Sequence, residues 1–381
     1  MRQEENRDPL GNHAKKNEYE CATKQSQSVE GESDTMIRIA VDGMGGDFAP
    51  QLVVAGVVAA ANAFDDLELT ITGREQAIKR ELYRHKVTGG KISVREASQV
   101  IGMNDSPVQS IKKKKDSSLT VAVQLLKQKE VDAVVTAGNT GAAVAASQLM
   151  LGLLPGIKRP GIAVTIPSLR GISVAIDVGA NIDPSPEHLL QYAIMAETYS
   201  RHILRKKKPS VGLLNIGEEE HKGTEVLKET YQLLRDSGLN FVGNIEGRDF
   251  FTGKCDCVIC DGFAGNVVLK MTESILEMLI TLIAKEMQKN ALARLGAFLC
   301  KPAFESIRKE TNYEEAGGAP LLGVDSVVII SHGISSAKAI KNAISVARDS
   351  VAERVNDHII EGIQNHFASA PNTDRVSKVN P

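Results

Sequence analysis

The chain has 381 residues, 42% of them hydrophobic and 24% charged, with a formal net charge of -2. That apolar fraction suffices for one large domain or two closely joined ones, and the charge balance gives no global pull toward nucleic acid, so no nucleic-acid partner is expected. Tryptophan is absent and aromatic residues make up only 4%, so the core must be aliphatic.

Residues 1–35 are polar and aperiodic, which predicts a disordered extension, and acids outnumber bases in it, unlike a mitochondrial-type transit peptide. An α/β domain is expected over 36–358. It opens with the β-branched run "IRIAV" at 37–41, then the turn "DGMGGDFAP" and a helix from about Pro50. "LELTIT" and "KISVRE" predict two more strands around a charged helix near Glu75 to Arg84. A helix over Leu119 to Lys129 leads into "VDAVVT" at 131–136. Further strands are predicted at "ISVAID", "VGLLN", "CVICD" and "SVVII". Such alternation implies a mainly parallel sheet sandwiched by helices. Residues 275–310 predict a helical hairpin and 359–381 a C-terminal tail, loose over its last dozen residues. The longest apolar stretch, Ala142 to Ile157, is broken by Pro155 and falls short of a membrane span, so a soluble or at most peripheral protein is expected.

The five cysteines, an odd number, suit free thiols in a reducing compartment. "CDCVIC" places three of them within six residues. Strand alternation puts Cys257 and Cys260 on opposite faces, and no second Cys or His cluster stands nearby, so small buried side chains are the expected reading and no metal site is assigned.

Six strands end in the same chemistry. The loops Asp42-Gly43-Met44-Gly45-Gly46-Asp47, Ala137-Gly138-Asn139-Thr140-Gly141, Asp177-Val178-Gly179-Ala180-Asn181, Asn215-Ile216-Gly217-Glu218, Asp261-Gly262-Phe263-Ala264-Gly265-Asn266 and Ser331-His332-Gly333 combine glycine with Asn, Asp or Ser, and most feed a helix. In a parallel sheet all of them lie on the carboxyl edge, where helix N-termini present free N–H groups and partial positive charge. Glycine lets a ligand approach the backbone, and Asn and Ser add neutral hydrogen bonds. Any one loop is explained by turn formation; six together imply an anionic ligand such as phosphate. No nucleotide template is met, neither G-x-x-x-x-G-K-[ST] nor G-x-G-x-x-G after a strand.

At these residues the sequence closely resembles the PlsX family of bacterial phosphate acyltransferases. The resemblance runs from about Ile37 to about Asn356 and rests on "VDGMGGDFAP", "SPVQSIKKKKDSSL", "AGNTGA", "DVGANIDPSPEHLLQYA", "GLLNIGEEEHKG", "GNIEGRDFFTG", "CDGFAGNVVLK" and "LLGVDSVVIISHGISSAKAI", in order. Gly43 stands where the family often has Ala, and residues 1–35 fall outside the pattern. The resemblance implies an α/β fold like that of phosphate acetyltransferases and isocitrate- or isopropylmalate-type dehydrogenases, and a homodimer. It implies transfer of a long-chain acyl group from acyl carrier protein to inorganic phosphate. The acyl phosphate would pass to a membrane glycerol-3-phosphate acyltransferase in phospholipid synthesis.

Phosphate is itself the nucleophile in such a reaction, so the site must hold the dianion and stabilise a tetrahedral oxyanion; no cofactor is expected. Lys222 and Asn266 are the leading catalytic candidates, one to neutralise phosphate or oxyanion, the other to donate to the carbonyl oxygen. The plain alternatives are a solvated lysine before a helix and a helix N-cap. Gly138, Asn139, Thr140 and Gly141 are expected to cradle phosphate, with Asp42, Gly45, Gly46, Asp47, Asn181, Asn215, Glu218 and Gly265 as further substrate-binding candidates. His332 reads as structural, and no G-x-S-x-G elbow supports a serine nucleophile.

An acidic carrier protein needs a basic dock, for which Lys112, Lys113, Lys114 and Lys115, or Arg205, Lys206, Lys207 and Lys208, are candidates, against plain solvated faces. In the hairpin, Leu292, Leu295, Phe298 and Leu299 share a face suited to a membrane interface or to dimer packing. Competing functions are a short-chain phosphate acetyltransferase on acyl-CoA, an NAD- and metal-dependent decarboxylating dehydrogenase, whose acidic and arginine constellation is absent from the sequence, and an inactive membrane scaffold.

Overall fold

The computed structural model describes residues 36–311 and 317–369. The extension over 1–35 and the loose last dozen residues lie outside the described residues.

An eleven-stranded sheet runs in the order β3-β2-β1-β4-β11-β10-β5-β6-β9-β7-β8. Its strands are β1 (Ile37–Asp42), β2 (Leu67–Gly73), β3 (Lys91–Glu96), β4 (Ala133–Thr136), β5 (Gly161–Ser168), β6 (Gly171–Ile176), β7 (Val211–Leu214), β8 (Phe241–Ile245), β9 (Cys257–Ile259), β10 (Ala319–Leu322) and β11 (Val327–Ile330). The helices are α1 (Gln51–Ala61), α2 (Glu75–Leu82), α3 (Pro107–Lys113), α4 (Ser118–Lys127), α5 (Thr140–Met150), α6 (Pro186–His202), α7 (Glu225–Asp236), α8 (Asp249–Thr252), α9 (Gly262–Met287), α10 (Ala291–Leu299), α11 (Lys301–Thr311), α12 (Ala337–Ala352) and α13 (Val355–Ser369).

The aliphatic core divides into three clusters. One joins Ile39, Val41 and Val135 of the sheet to Val54 and Val57 of α1 and Ile340 and Ile344 of α12. A second, over β1, β4 and β11, contains Val123 of α4 and Ala142 and Ala143 of α5 together with Val178 and Val258. A third packs Tyr192 and Met195 of α6 on Val174 and Ile259, with Ile359 and Ile363 of α13 beside them. β4, "AVVT", is buried along its whole length, as a central strand covered on both faces must be.

The α/β alternation expected from sequence is present, with one correction to the sheet. β3, β2, β1, β4 and β11 are mutually parallel, and so are β6, β9, β7 and β8. Between the two blocks, β10 runs antiparallel to β11 and to β5, and β5 antiparallel to β6. Strand direction therefore reverses across the sheet, and the six glycine loops do not share one carboxyl edge. Sheet twist of roughly 20–25° per neighbouring pair accumulates roughly 130° over the steps from β1 to β9, which offsets much of that reversal. Val178, in the loop after β6, accordingly shares a hydrophobic cluster with the first turn of α5.

Other boundaries also move. The hairpin helix begins at Gly262, directly after β9, not at 275. Its return leg is two helices separated at Cys300, with Pro302 near the start of α11, where a missing N–H costs nothing. Residues 359–369, expected as tail, continue α13, whose Ile359 and Ile363 are buried against α6.

Candidate active site

The loops after β1, β4 and β11 form one cluster. Asp42 is 2% exposed at the end of β1 and accepts hydrogen bonds from the Thr136 hydroxyl (2.8 Å) and the Met44 N–H (3.3 Å). Burial pushes its carboxyl above the usual range, against the pull of these donors. Gly45 lies so close that an added Cβ would meet the Asp42 Oδ2 at 2.6 Å and the Gly138 N at 2.8 Å. The Asp47 N–H reaches the Gly333 carbonyl at 2.8 Å, closing the cluster against the loop after β11, and Gly46 sits at φ +100 beside it.

Within this cluster Asn139 does not face a ligand. Its Oδ1 caps α5 through the Ala142 N–H (2.9 Å), and its Nδ2 donates to the carbonyls of Met103 (2.9 Å), Asp105 (3.2 Å) and Gly102 (3.3 Å). Of the expected cradle, the Asn139 side chain is thus engaged by the protein, while among the described residues the N–H groups of Thr140 and Gly141 and the Thr140 hydroxyl are not. Thr140 and Gly141, both exposed, open the first turn of α5, where helix N–H groups lack intrahelical partners.

A second cluster is built from the loops after β6 and β9. Asp177, fully buried, gathers the N–H groups of Ile162, Gly179, Ala180 and Asn181 at 2.6–3.1 Å, while burial raises its carboxyl above the usual range. The Asn181 carbonyl takes the Gly262 N–H (2.9 Å), and Asn181 Nδ2 is buried without a partner among the described residues. Asp261 caps α9 through Phe263 and Ala264, so the capping role weighed for Asn266 belongs to Asp261. Asn266 stands a turn further along, half-buried beside Gly179. Gly265 is packed tightly against the loop after β6: a Cβ there would lie 2.0 Å from the Asp177 carbonyl oxygen.

The loop after β7 carries Lys222. Asn215, expected to bind substrate, is 7% exposed and engaged by its own loop, accepting from the Ile216 N–H (2.8 Å) and donating to the Lys222 carbonyl (3.0 Å). Glu218 is exposed and paired with Lys254 (2.7 Å) and Arg248 (3.9 Å), which turns it outward to cations and away from an anion. Lys222 itself is half-buried, and among the described residues no ion pair holds it. No hydrogen bond joins it to Asn266 among those residues. Nor do described His, Cys, Asp and Glu side chains form a group able to hold a metal ion.

The protein-family model described as "Fatty acid synthesis protein" matches residues 37–358. The phosphate acyltransferase of Halothermothrix orenii is 47% identical over 321 residues, 84% of this chain and 96% of that protein. The chain belongs to the phosphate acyltransferase family. The phosphate acyltransferase of Geobacter sulfurreducens is 44% identical over 333 residues, 87% of this chain and 96% of its own length. Among solved structures, a phosphotransacetylase from Streptococcus pyogenes superposes with a TM-score of 0.54 at 18% identity, covering 88% of this chain and 95% of that one. A branched-chain phosphotransacylase from Enterococcus faecalis V583 gives 0.52 at 13% identity, covering 83% and 99%. At these identities the likeness is one of fold.

In this family member the basic runs are partly spent on the fold. Lys114 donates to the Val100 carbonyl (2.8 Å) and to Asp105 (2.6 Å), leaving Lys112, Lys113 and Lys115 exposed. Arg205 pairs with Glu353, and Lys206 with Asp256 at 2.6 Å, leaving Lys207 and Lys208 exposed. The apolar face of α10 is bare: Leu292 is 80% exposed and Phe298 73%, with Leu295 and Leu299 also exposed. No described helix is long and apolar enough to cross a membrane.

Sequence reasoning missed Asp177, Thr136, Lys254 and Arg248. Asp177 carried a readable signal, since it ends its strand as Asp42 and Asp261 follow theirs. Lys254 and Arg248 gave none, because a lone cation in a loop says nothing of which carboxylate it will meet.

Proposed function

We propose that this chain transfers a long-chain acyl group from acyl carrier protein to inorganic phosphate, releasing acyl phosphate for phospholipid synthesis. The observation that carries the reading is likeness to a phosphate acyltransferase along nearly the whole of that protein's length, 96% of it at 47% identity. Phosphate attacks the thioester carbonyl, the carbon–sulfur bond breaks as the carbon–oxygen bond forms, and the carrier's thiolate leaves. The chain's tasks are to hold the dianion, bind the oxyanion and exclude competing water. Lys222, half-buried and without an ion-pair partner among the described residues, supplies the charge for phosphate. Asn266 donates its amide to the carbonyl oxygen as that oxygen becomes negative. The open first turn of α5, at Thr140 and Gly141, offers backbone N–H groups to an anionic part of the substrate.

The exposed lysines at 112, 113 and 115, and at 207 and 208, are the cations left for an acidic carrier. The bare face of α10, with the exposed apolar residues Ile275, Leu279 and Leu282 of α9, suits a homodimer contact or a peripheral membrane contact on the cytoplasmic side. Either would shelter a greasy product on its way to a membrane glycerol-3-phosphate acyltransferase.

The test is to incubate purified protein with palmitoyl-acyl carrier protein and labelled phosphate and follow acyl phosphate. Product that requires phosphate, formed far faster than from acetyl-CoA, supports the reading. A preference for acetyl-CoA makes the chain a short-chain phosphate acetyltransferase, and no product beside an active control leaves a membrane scaffold.

A further inference from the structure

The half-buried Lys222 is a cation with no ion-pair partner among the described residues, carried on a long, flexible stem, and such a side chain aims at an anion only if its backbone is fixed. Two buried asparagines, neither on the same strand, fix it. Asn215, at the end of β7, donates its Nδ2 to the Lys222 carbonyl (3.0 Å). Asn244, 3% exposed in β8, donates its Nδ2 to the Glu219 carbonyl (2.9 Å), the same oxygen that accepts the Lys222 N–H (3.1 Å). The Lys222 residue is thus held at both its carbonyl and its N–H from the two strands beneath the loop. The stem is held as well: a Cβ on Gly217 would come within 3.2 Å of the Lys222 Cγ and 3.6 Å of its Cδ, so the aliphatic chain lies across that glycine.

Stability alone does not account for an amide at position 244. Its Oδ1 is buried with no hydrogen-bond partner among the described residues. A buried acceptor left unpaired is destabilising, and an apolar side chain of similar volume would fill the same space without that penalty. What the amide provides that a leucine cannot is the donor to the Glu219 carbonyl.

We infer that Asn244 and Asn215 are positioning residues, clamping the Lys222 backbone from β8 and β7 while Gly217 seats its stem, so that the ammonium is aimed at inorganic phosphate. The inference rests on the reading of Lys222 given above. Asn244→Leu keeps the approximate volume and removes the donor without adding a charge. Gly217→Ala leaves the two asparagine donors in place and crowds the Lys222 stem together with the Glu219 carboxylate, whose Oε2 would lie 2.9 Å from the new Cβ, so it remains informative if Asn244→Leu fails to fold.

Two readouts separate the clamp from a merely structural role. In the first, lysine acetylation by an amine-reactive reagent is followed peptide by peptide, with and without inorganic phosphate. Phosphate protects Lys222 in the wild-type chain, and in either variant equal protection takes about tenfold more phosphate. In the second, kcat/KM for phosphate falls about tenfold in each variant with the KM for the acyl donor unchanged, and either change added to Lys222→Ala costs less than about twofold more. Equal protection in wild type and both variants, or losses that multiply with that of Lys222→Ala, overturn the clamp. Absence of protection in the wild-type chain overturns the assignment of Lys222 to phosphate itself, a different failure.

Discussion

The loops after β1, β4 and β11 and those after β6, β9 and β7 have the same composition but dispose of their polar side chains differently. In the first group most polar side chains are consumed within the protein: Thr136 on Asp42, Asn139 on α5 and on the loop over 102–105, Ser331 on Ser335 at 2.8 Å. What remains open there is the backbone at Thr140 and Gly141 and the exposed side chains of Asp47 and Thr140. In the second group the carboxylates of Asp177 and Asp261 are consumed in the same way, but Lys222 and Asn266 are left half-buried and without side-chain partners among the described residues. Composition says that a loop can bind an anion. The hydrogen-bond inventory says which atoms are still able to.

Four experiments test that contrast. The largest effect is expected from the second group: Lys222→Ala lowers kcat/KM for phosphate by about 10²–10³-fold, the scale of losing one charge-stabilising group, with the melting temperature unchanged. Wild-type turnover in this variant would remove the distinction between the groups. Gly265→Ala ranks next and acts on stability. Its Cβ has to force α9 away from the Asp177 carbonyl, so unfolding free energy measured in urea should fall by roughly 2–3 kcal/mol. In the first group, Asn139→Ala removes a cap and three bonds to the 102–105 loop and should cost roughly 1–2 kcal/mol in the same measurement while changing phosphate KM little. A large KM effect with full stability would instead return Asn139 to the ligand.

The smallest expected effect concerns pH. The folded Asp42 carboxyl titrates above its unfolded value because burial penalises the charged form. The chain therefore loses stability as pH rises from the unfolded carboxylate range through the higher folded value, and loses nothing further above it. Asp42→Asn lacks this term. Its melting temperature relative to wild type should rise across that window and stay level above it, a change read by scanning calorimetry at successive pH values.

Much of the fold is legible in the sequence because β1, β4, β6, β7, β9 and β11 are apolar runs closed by glycine-bearing loops, and β2 is an apolar run leading into a charged helix. The missing strands explain the misplaced loops. β5, "GIAVTIPS", contains Pro167; β10, "APLL", is four residues long with Pro320; β8, "FVGNI", has Gly243 and Asn244 at its centre. Proline and glycine weaken a local strand signal that long-range pairing restores. Two of those three strands are the antiparallel ones that reverse the sheet, so a reading limited to strong signals arrives at one carboxyl edge. The site was legible as far as which loops matter. It was not legible which of their side chains are spent, because Asn139 and Asn215 meet their partners only after folding, and Asn139 spans 36 positions to reach Met103.

The antiparallel pair at the centre of the sheet also constrains the order in which a newly made chain can be completed. β4 acquires its second neighbour only from β11, and β5 acquires its second neighbour only from β10, whose partners Gly161 and Leu322 lie roughly 160 residues apart, a long loop to close. A nascent chain that has emerged from the ribosome as far as α11 holds β3-β2-β1-β4 and β5-β6-β9-β7-β8, with no strand pair between them. The two parallel blocks become a single sheet when residues 319–330 thread two short strands into the gap. Until that moment each block presents an unpaired edge, and a synthesis interrupted there leaves two open templates for aggregation.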